Sequence, residues 1–343
     1  MIFHVVDSVH VHHKPILSDS VTSHRMFGPS HRDRDRLGPG QVKDMSHIIL
    51  VPDHKQSPHW CGIHPADIIN FEANFKFRIR VWPLVTLGVE TPLSVYRKLA
   101  NCSYSYLFES VEGGDKWARY SLIGLKARRL IKVIKNEVVI LQDGKQIETI
   151  TADDPLDYLD QLQKSYTLEE DRNLPKFNGG LVGYFSYDCV RYIEKKLIES
   201  VPPDSLGTPD ALFMVSEEVA VFDNLKNKLH LIILIDSEDD RDIAERRLDE
   251  LEEKLKEPLK FQDFKKPEKT INESDFISGF GEHEFKNSVE KAKKYIEEGD
   301  IMQVVCSQRM SLPFTADPVA LYRSIRQLNP SPYMYYLNLH DFH

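Results

Sequence analysis

His10, His12 and His13 stand within four residues of one another, and imidazoles that close can share a metal ion. Ten of the fourteen histidines fall in the first sixty-four residues, which also hold Arg32-Asp33-Arg34-Asp35-Arg36 followed by Leu37-Gly38-Pro39-Gly40. No helical or alternating apolar pattern lasts through that stretch. Residues 1–74 therefore suit a poorly ordered leader, or a start assigned too far upstream, better than a metal centre. Cys61, Cys102, Cys189 and Cys306 lie tens of residues apart with no C-x-x-C pair. That pattern gives neither a disulfide framework nor a zinc set, so the four are expected as small buried apolar residues. Asn178-Gly179-Gly180 leads into a strand pattern interrupted by Gly183. As a phosphate loop it lacks a following helix with Lys-Ser or Lys-Thr; a glycine in a strand instead marks a bulge or a close approach of another backbone. Gln303 is the last chemical candidate. It sits in Ile301-Met302-Gln303-Val304-Val305-Cys306, a strand pattern that puts the amide on the face opposite Met302, Val304 and Cys306, where it needs hydrogen-bond partners.

The elements that must position these groups fit in 343 residues, enough for about two domains of ~150 residues each. Lys and Arg number 44 against 53 Asp and Glu, a formal charge of -9, so no basic field exists to hold a nucleic-acid backbone. No run approaches the ~20 apolar residues that span a bilayer, and the first thirty residues lack the features of a signal peptide. A cytoplasmic protein is expected.

From about residue 75 the pattern becomes regular. Thr91-Pro92, Asp154-Pro155 and Asp317-Pro318 each pair a capping side chain with a proline at the first helical position. Leucine and tyrosine stripes at helical spacing follow each pair. Ala244, Leu248, Leu251 and Leu255 line another helix, and Phe285, Val289, Ala292 and Ile296 a further one that ends at Gly299. Strands are expected over 104–111, 119–125, 130–135, 138–141 and 146–150, read as one antiparallel meander with a hairpin at Asp143-Gly144. Further strands are expected at 181–188, 218–222, 228–235 and 333–339. Residues 257–273, rich in Lys, Asp and Pro, are the expected linker. This divides the chain into 75–256, a linker at 257–273, and a second domain beginning at 274. Two prolines around Ser331 fix a rigid turn into the last strand.

Five blocks carry a resemblance beyond what spacing supplies: Leu107-Phe108-Glu109-Ser110; Arg119 to Gly124; Gly179 to Asp188; Gly299 to Val305 with Ser307-Gln308-Arg309; and Asn329 to Met334. In this order they resemble anthranilate synthase component I, over roughly residues 75–343. The resemblance implies an α+β fold: antiparallel sheets in two layers with helices outside, residues 75–256 forming the N-terminal domain and 274–343 the beginning of a chorismate-binding domain. It also implies a lyase of tryptophan biosynthesis that converts chorismate and ammonia to anthranilate and pyruvate with Mg2+. The ammonia would come from glutamine through a partner amidotransferase subunit.

By the same resemblance, the acid–base and metal-binding residues are expected beyond His343. The chain alone is then expected to be inactive, with Gln303 its candidate active-site residue and no metal ligand. A glutamine cannot act as a base near neutral pH, which favours an aminating over a hydrating enzyme. Feedback-inhibiting L-tryptophan is expected between the N-terminal sheet and the 329–334 turn. Ser110 would meet its polar end, Pro332 and Tyr333 would line the pocket and Met334 would pack on the indole, with Glu109 and Arg119 as charge partners for the zwitterion and Asn329 nearby. Two alternatives stay open: the aminodeoxychorismate synthase large component of the folate pathway, and a non-catalytic fragment that binds tryptophan or the partner subunit.

Overall fold

A computed structural model describes residues 75–81, 85–86, 90–109, 119–168, 174–201, 204, 206–259 and 270–343. The histidine-rich segment, most of the expected linker and Ser110 lie outside the described residues.

The caps act as their chemistry requires. Thr91 and Ser94 exchange reciprocal side chain–backbone hydrogen bonds at the start of α1 (Pro92–Val95), whose coil continues through a wider turn over Tyr96–Ala100. Asp154 accepts from the backbone N–H groups of Leu156 and Asp157 at the head of α2 (Pro155–Ser165). Asp317 accepts from Val319 N–H, 3.0 Å, at the head of α6 (Pro318–Leu328). Between these lie a short α3 (Val190–Ile193), α4 (Arg241–Lys256) and α5 (Glu282–Glu297).

The strands are β1 (Phe75–Val81), β2 (Val85–Thr86), β3 (Ser105–Glu109), β4 (Tyr120–Gly124), β5 (Arg129–Ile134), β6 (Glu137–Gln142), β7 (Lys145–Thr151) and β8 (Tyr166–Leu168). They continue with β9 (Gly180–Phe185), β10 (Ala211–Ser216), β11 (Glu218–Asp223), β12 (Lys228–Ile235), β13 (Ile277–Ser278), β14 (Met310–Ser311) and β15 (Met334–Asn338). An eight-stranded sheet has the order β15-β3-β4-β11-β12-β1-β8, with β2 also on β12; a five-stranded sheet has the order β7-β6-β5-β10-β9. Both are antiparallel apart from the parallel pair β1–β8. Strands β13 and β14 form a two-stranded ribbon.

The expected single meander is divided. Strands β3 and β4 belong to the large sheet and β5–β6–β7 to the small one, because the chain changes sheets just after Leu125, whose N–H bonds the Glu218 carbonyl. Alternation along a strand names its buried face but not its neighbour. The hairpin at Asp143-Gly144 is present, with φ of +50° and +79° at its two residues.

Alternation distributes the apolar side chains over two faces. On β12, Leu229, Leu231, Ile233 and Ile235 pack with Ala244, Leu248, Leu251 and Leu255 of α4 and with Val319 and Tyr322 of α6, while Ile232 and Leu234 form a cluster with Val219 and Val221. Between the sheets, Tyr106 of β3 packs with Leu130, Val182, Leu212 and Met214, and its hydroxyl lies 2.8 Å from Ser216 Oγ. The other face of the small sheet carries Leu159 and Leu162 of α2. The result is an α+β fold of two sheet layers with helices outside. No helix among the described residues is long and apolar enough to cross a membrane.

Three expectations are corrected. Residues 301–309 form no strand, and Gln303 is exposed, as are Met302 (97 %) and Val305 (81 %). A strand exists only where another chain segment takes up its ladder hydrogen bonds, and none among the described residues does so here. The apolar stripe of α5 leaves no residue fully buried. Of the cysteines, only Cys189 is fully buried, while Cys102 and Cys306 are half-buried and Cys61 lies outside the described residues.

Candidate effector site at the end of the large sheet

The last residue of β3 and the first of β15 face each other: Glu109 pairs with Met334, Phe108 with Tyr335 and Leu107 with Tyr336. Two sequence blocks far apart in the chain thereby meet at one strand end. Asn329 closes α6, its N–H bonding the Ile325 carbonyl at 2.8 Å. The exposed turn follows, with Tyr333 N–H donating to Ser331 Oγ at 3.3 Å. Pro332 and Tyr333 stand in solvent, whereas Met334 turns inward and joins the core beside Val319 and Tyr322.

Glu109 is 3 % exposed, and a carboxylate so buried needs partners. Tyr322 Oη donates to its Oε2 at 2.8 Å and Arg326 Nη2 donates to its Oε1 at 3.3 Å, with Arg326 Nε 3.1 Å from Oε2. Both donors come from α6, four residues apart and so on one helical face. Burial, and then the adjacent Glu109 carboxylate, push the Tyr322 hydroxyl far above the ordinary tyrosine range, so it stays a proton donor. Tyr322 also packs its ring against Tyr336, centroids 5.8 Å apart.

Arg119 lies at the same end, since Leu122 pairs with Phe108 and Tyr120 with Asp223. Its Nε and Nη2 donate to the buried Asp223 Oδ2 at 3.2 and 3.1 Å, and its guanidinium covers the Tyr120 ring. The structure thus brings Glu109, Arg119, Asn329, Pro332, Tyr333 and Met334 to one end of the large sheet. Gln303 belongs to no sheet and is not among them. Tyr322 and Arg326 escaped the sequence reading. Tyr322 was legible as part of an apolar stripe, and the only further signal was the spacing of the two residues by one helical turn.

For Mg2+, no group of three or more His, Cys, Asp or Glu side chains among the described residues is placed to hold a metal ion.

The family of chorismate binding enzymes matches residues 111–343, and this chain belongs to that family. Within it, the chain is similar to anthranilate synthase component 1 of Pseudomonas putida, 47% identical over 259 residues, covering 74% of this chain and 52% of the relative. The same component of Pseudomonas aeruginosa (strain PAO1) is 46% identical over 263 residues with the same coverage. A crystal structure of anthranilate synthase component I from Streptococcus pneumoniae TIGR4 superposes with a TM-score of 0.53 at 30% identity, covering 75% of this chain and 55% of that one. The chain spans about half the length of the curated relatives it matches.

Proposed function

We propose that this chain carries the effector-sensing part of the large component of an anthranilate synthase. In that reaction chorismate and ammonia give anthranilate, pyruvate and water. The ammonia is released from glutamine by a partner amidotransferase subunit, and L-tryptophan acts as feedback inhibitor. The observation that carries the reading is the pairing of Met334 with Glu109, which sets the Pro332–Tyr333 turn beside the end of β3. The exposed Tyr333 and Pro332 suit the indole ring, since apolar and aromatic faces favour aromatic partners, whereas Met334, expected on the indole, faces the core. Ser110 follows Glu109 directly in sequence and would meet the polar end of the amino acid, with the Arg119 guanidinium at the rim for its carboxylate.

The catalytic part of the reaction needs acid–base groups at the departing C4 hydroxyl and at the attacking nitrogen. Gln303 can donate and accept hydrogen bonds but cannot take a proton near neutral pH. We therefore expect saturable binding of L-tryptophan by residues 1–343 in a calorimetric titration, weakened in Ser110→Ala. Unchanged affinity in that variant would count against the pocket. With chorismate, ammonium and Mg2+ supplied, no anthranilate fluorescence is expected from this chain alone, and turnover would overturn the assignment of sensing without catalysis.

A further inference from the structure

Glu109 occupies an unusual mechanical position. Its backbone pairs with Met334 across β3 and β15, and its buried carboxylate is held by Tyr322 and Arg326 of α6. Helix α6 ends at Leu328, and the turn from Asn329 leads straight back to Met334. Both ends of the turn are therefore tied to one residue: the helix end by side-chain bonds, the strand end by the ladder. A loop whose two ends are fixed to a common anchor has far less conformational freedom than one fixed at a single end.

We propose that Tyr322 and Arg326 are positioning residues for the effector turn, acting through Glu109, and that the Glu109 carboxylate anchors the turn instead of binding the ammonium group of the ligand. The ligand half of this proposal rests on the tryptophan-pocket reading above. Three features of the structure support the anchoring role. Glu109 is 3 % exposed, so little of it faces a ligand. Each of its oxygens already accepts a hydrogen bond, Oε2 from the Tyr322 hydroxyl and Oε1 from Arg326 Nη2, with the Arg326 guanidinium as counter-charge. The ring of Tyr322 packs on Tyr336, two residues along β15 from Met334, so the same side chain steadies both the anchor and the strand that the turn enters.

Two measurements on the full chain test this. The first is amide hydrogen exchange at Tyr333 and Met334 in wild type, Tyr322→Phe and Arg326→Gln. Ile131→Ala, a core change in the small sheet, serves as a control for general loss of stability. Exchange at the turn should rise about tenfold in the two α6 variants and not in Ile131→Ala; an unchanged turn in the α6 variants, or an equal rise in the control, overturns the proposal. The second compares L-tryptophan with indole-3-propionate, which keeps the indole and carboxylate but lacks the ammonium. Glu109→Gln should weaken both ligands by a similar factor, about fivefold or more. Weakening of L-tryptophan alone would mean that the carboxylate touches the ammonium, and no change in either would mean that the anchor does not shape the pocket; each overturns the proposal. Wild type binding neither ligand would remove the tryptophan-pocket reading and leave the exchange measurement to decide the anchor.

Discussion

Gly183 shows how much one hydrogen atom decides. Strand β9 runs against β10 with Gly183 opposite Phe213, and a Cβ on Gly183 would stand 1.8 Å from the Leu212 carbonyl oxygen. That obstacle is backbone in the middle of a sheet, which a rotamer change cannot clear. Gly183→Ala is expected to cost about 3 kcal/mol or more in urea unfolding, at the upper end of overpacking changes; a loss under 1 kcal/mol would mean the two strands separate freely. A second residue gives a pH signature. His230 of β12 is half-buried, and burial holds its imidazole below the ordinary value of 6.5, with Asp223 opposing. Because the folded protein resists protonation that the unfolded chain accepts, the stability associated with His230 is full above the unfolded value of about 6.5 and is lost as the pH falls below it and through the lower value of the folded state. Unfolding midpoints at pH 7.5 and 5.5 should therefore fall further for wild type than for His230→Gln. Equal falls would exclude the residue as a contributor.

At the scale of elements, α6 is held by its first residue pair. Asp317 caps the helix through one oxygen and ion-pairs with the nearly buried Arg97 through the other, at 2.7 Å. Asn is as good a cap as Asp but cannot pair with the guanidinium, so the two functions separate by mutation. Asp317→Ala should lose the cap, about 1 kcal/mol, together with the Arg97 ion pair, whereas Asp317→Asn should lose only the latter. Equal destabilisation of the two variants would show that the cap contributes nothing. This helix was legible in the sequence because cap and proline are neighbours in the chain. So were α2, α4 and the Asp143-Gly144 hairpin, all fixed by residues within one or two turns of each other. What sequence could not supply was pairing. Strand β10, Ala211–Ser216, is buried on both faces and gives no alternation to read. Residues 301–306 alternate convincingly yet form no strand, because alternation does not provide a partner. The candidate site divides in the same way. Glu109 and Met334 were placed together only through a family resemblance, and their joint attachment to Tyr322 and Arg326 depends on how α6 crosses β3, which no local pattern encodes.

For the whole molecule, residues 317–339 belong physically with the sheet near the start of the fold. Strand β15 adds five paired positions to β3, Val319, Tyr322, Met334 and Tyr336 enter the same core as Val95 and Leu107, and Arg97–Asp317 and Arg326–Glu109 tie the two regions by charge. The intervening stretch is different: Phe276, Ile277, Met302, Val304, Val305, Met310 and Phe314 are exposed and α5 has no fully buried residue. Burial of the four core side chains alone is worth roughly 1.5–3 kcal/mol each, so covalent continuity through the exposed stretch is not what keeps α6 and β15 in place. Among the described residues, brief trypsin treatment should therefore cut first in this stretch, at sites such as the exposed Arg309, because local opening is easiest where few side chains are buried. The C-terminal piece carrying α6 and β15 should then co-elute with the body of the protein on gel filtration and separate only in denaturant. Loss of that piece under native conditions after a single cut would mean that the connection through residues 300–314, and not the shared sheet and core, holds the last helix and strand to the fold.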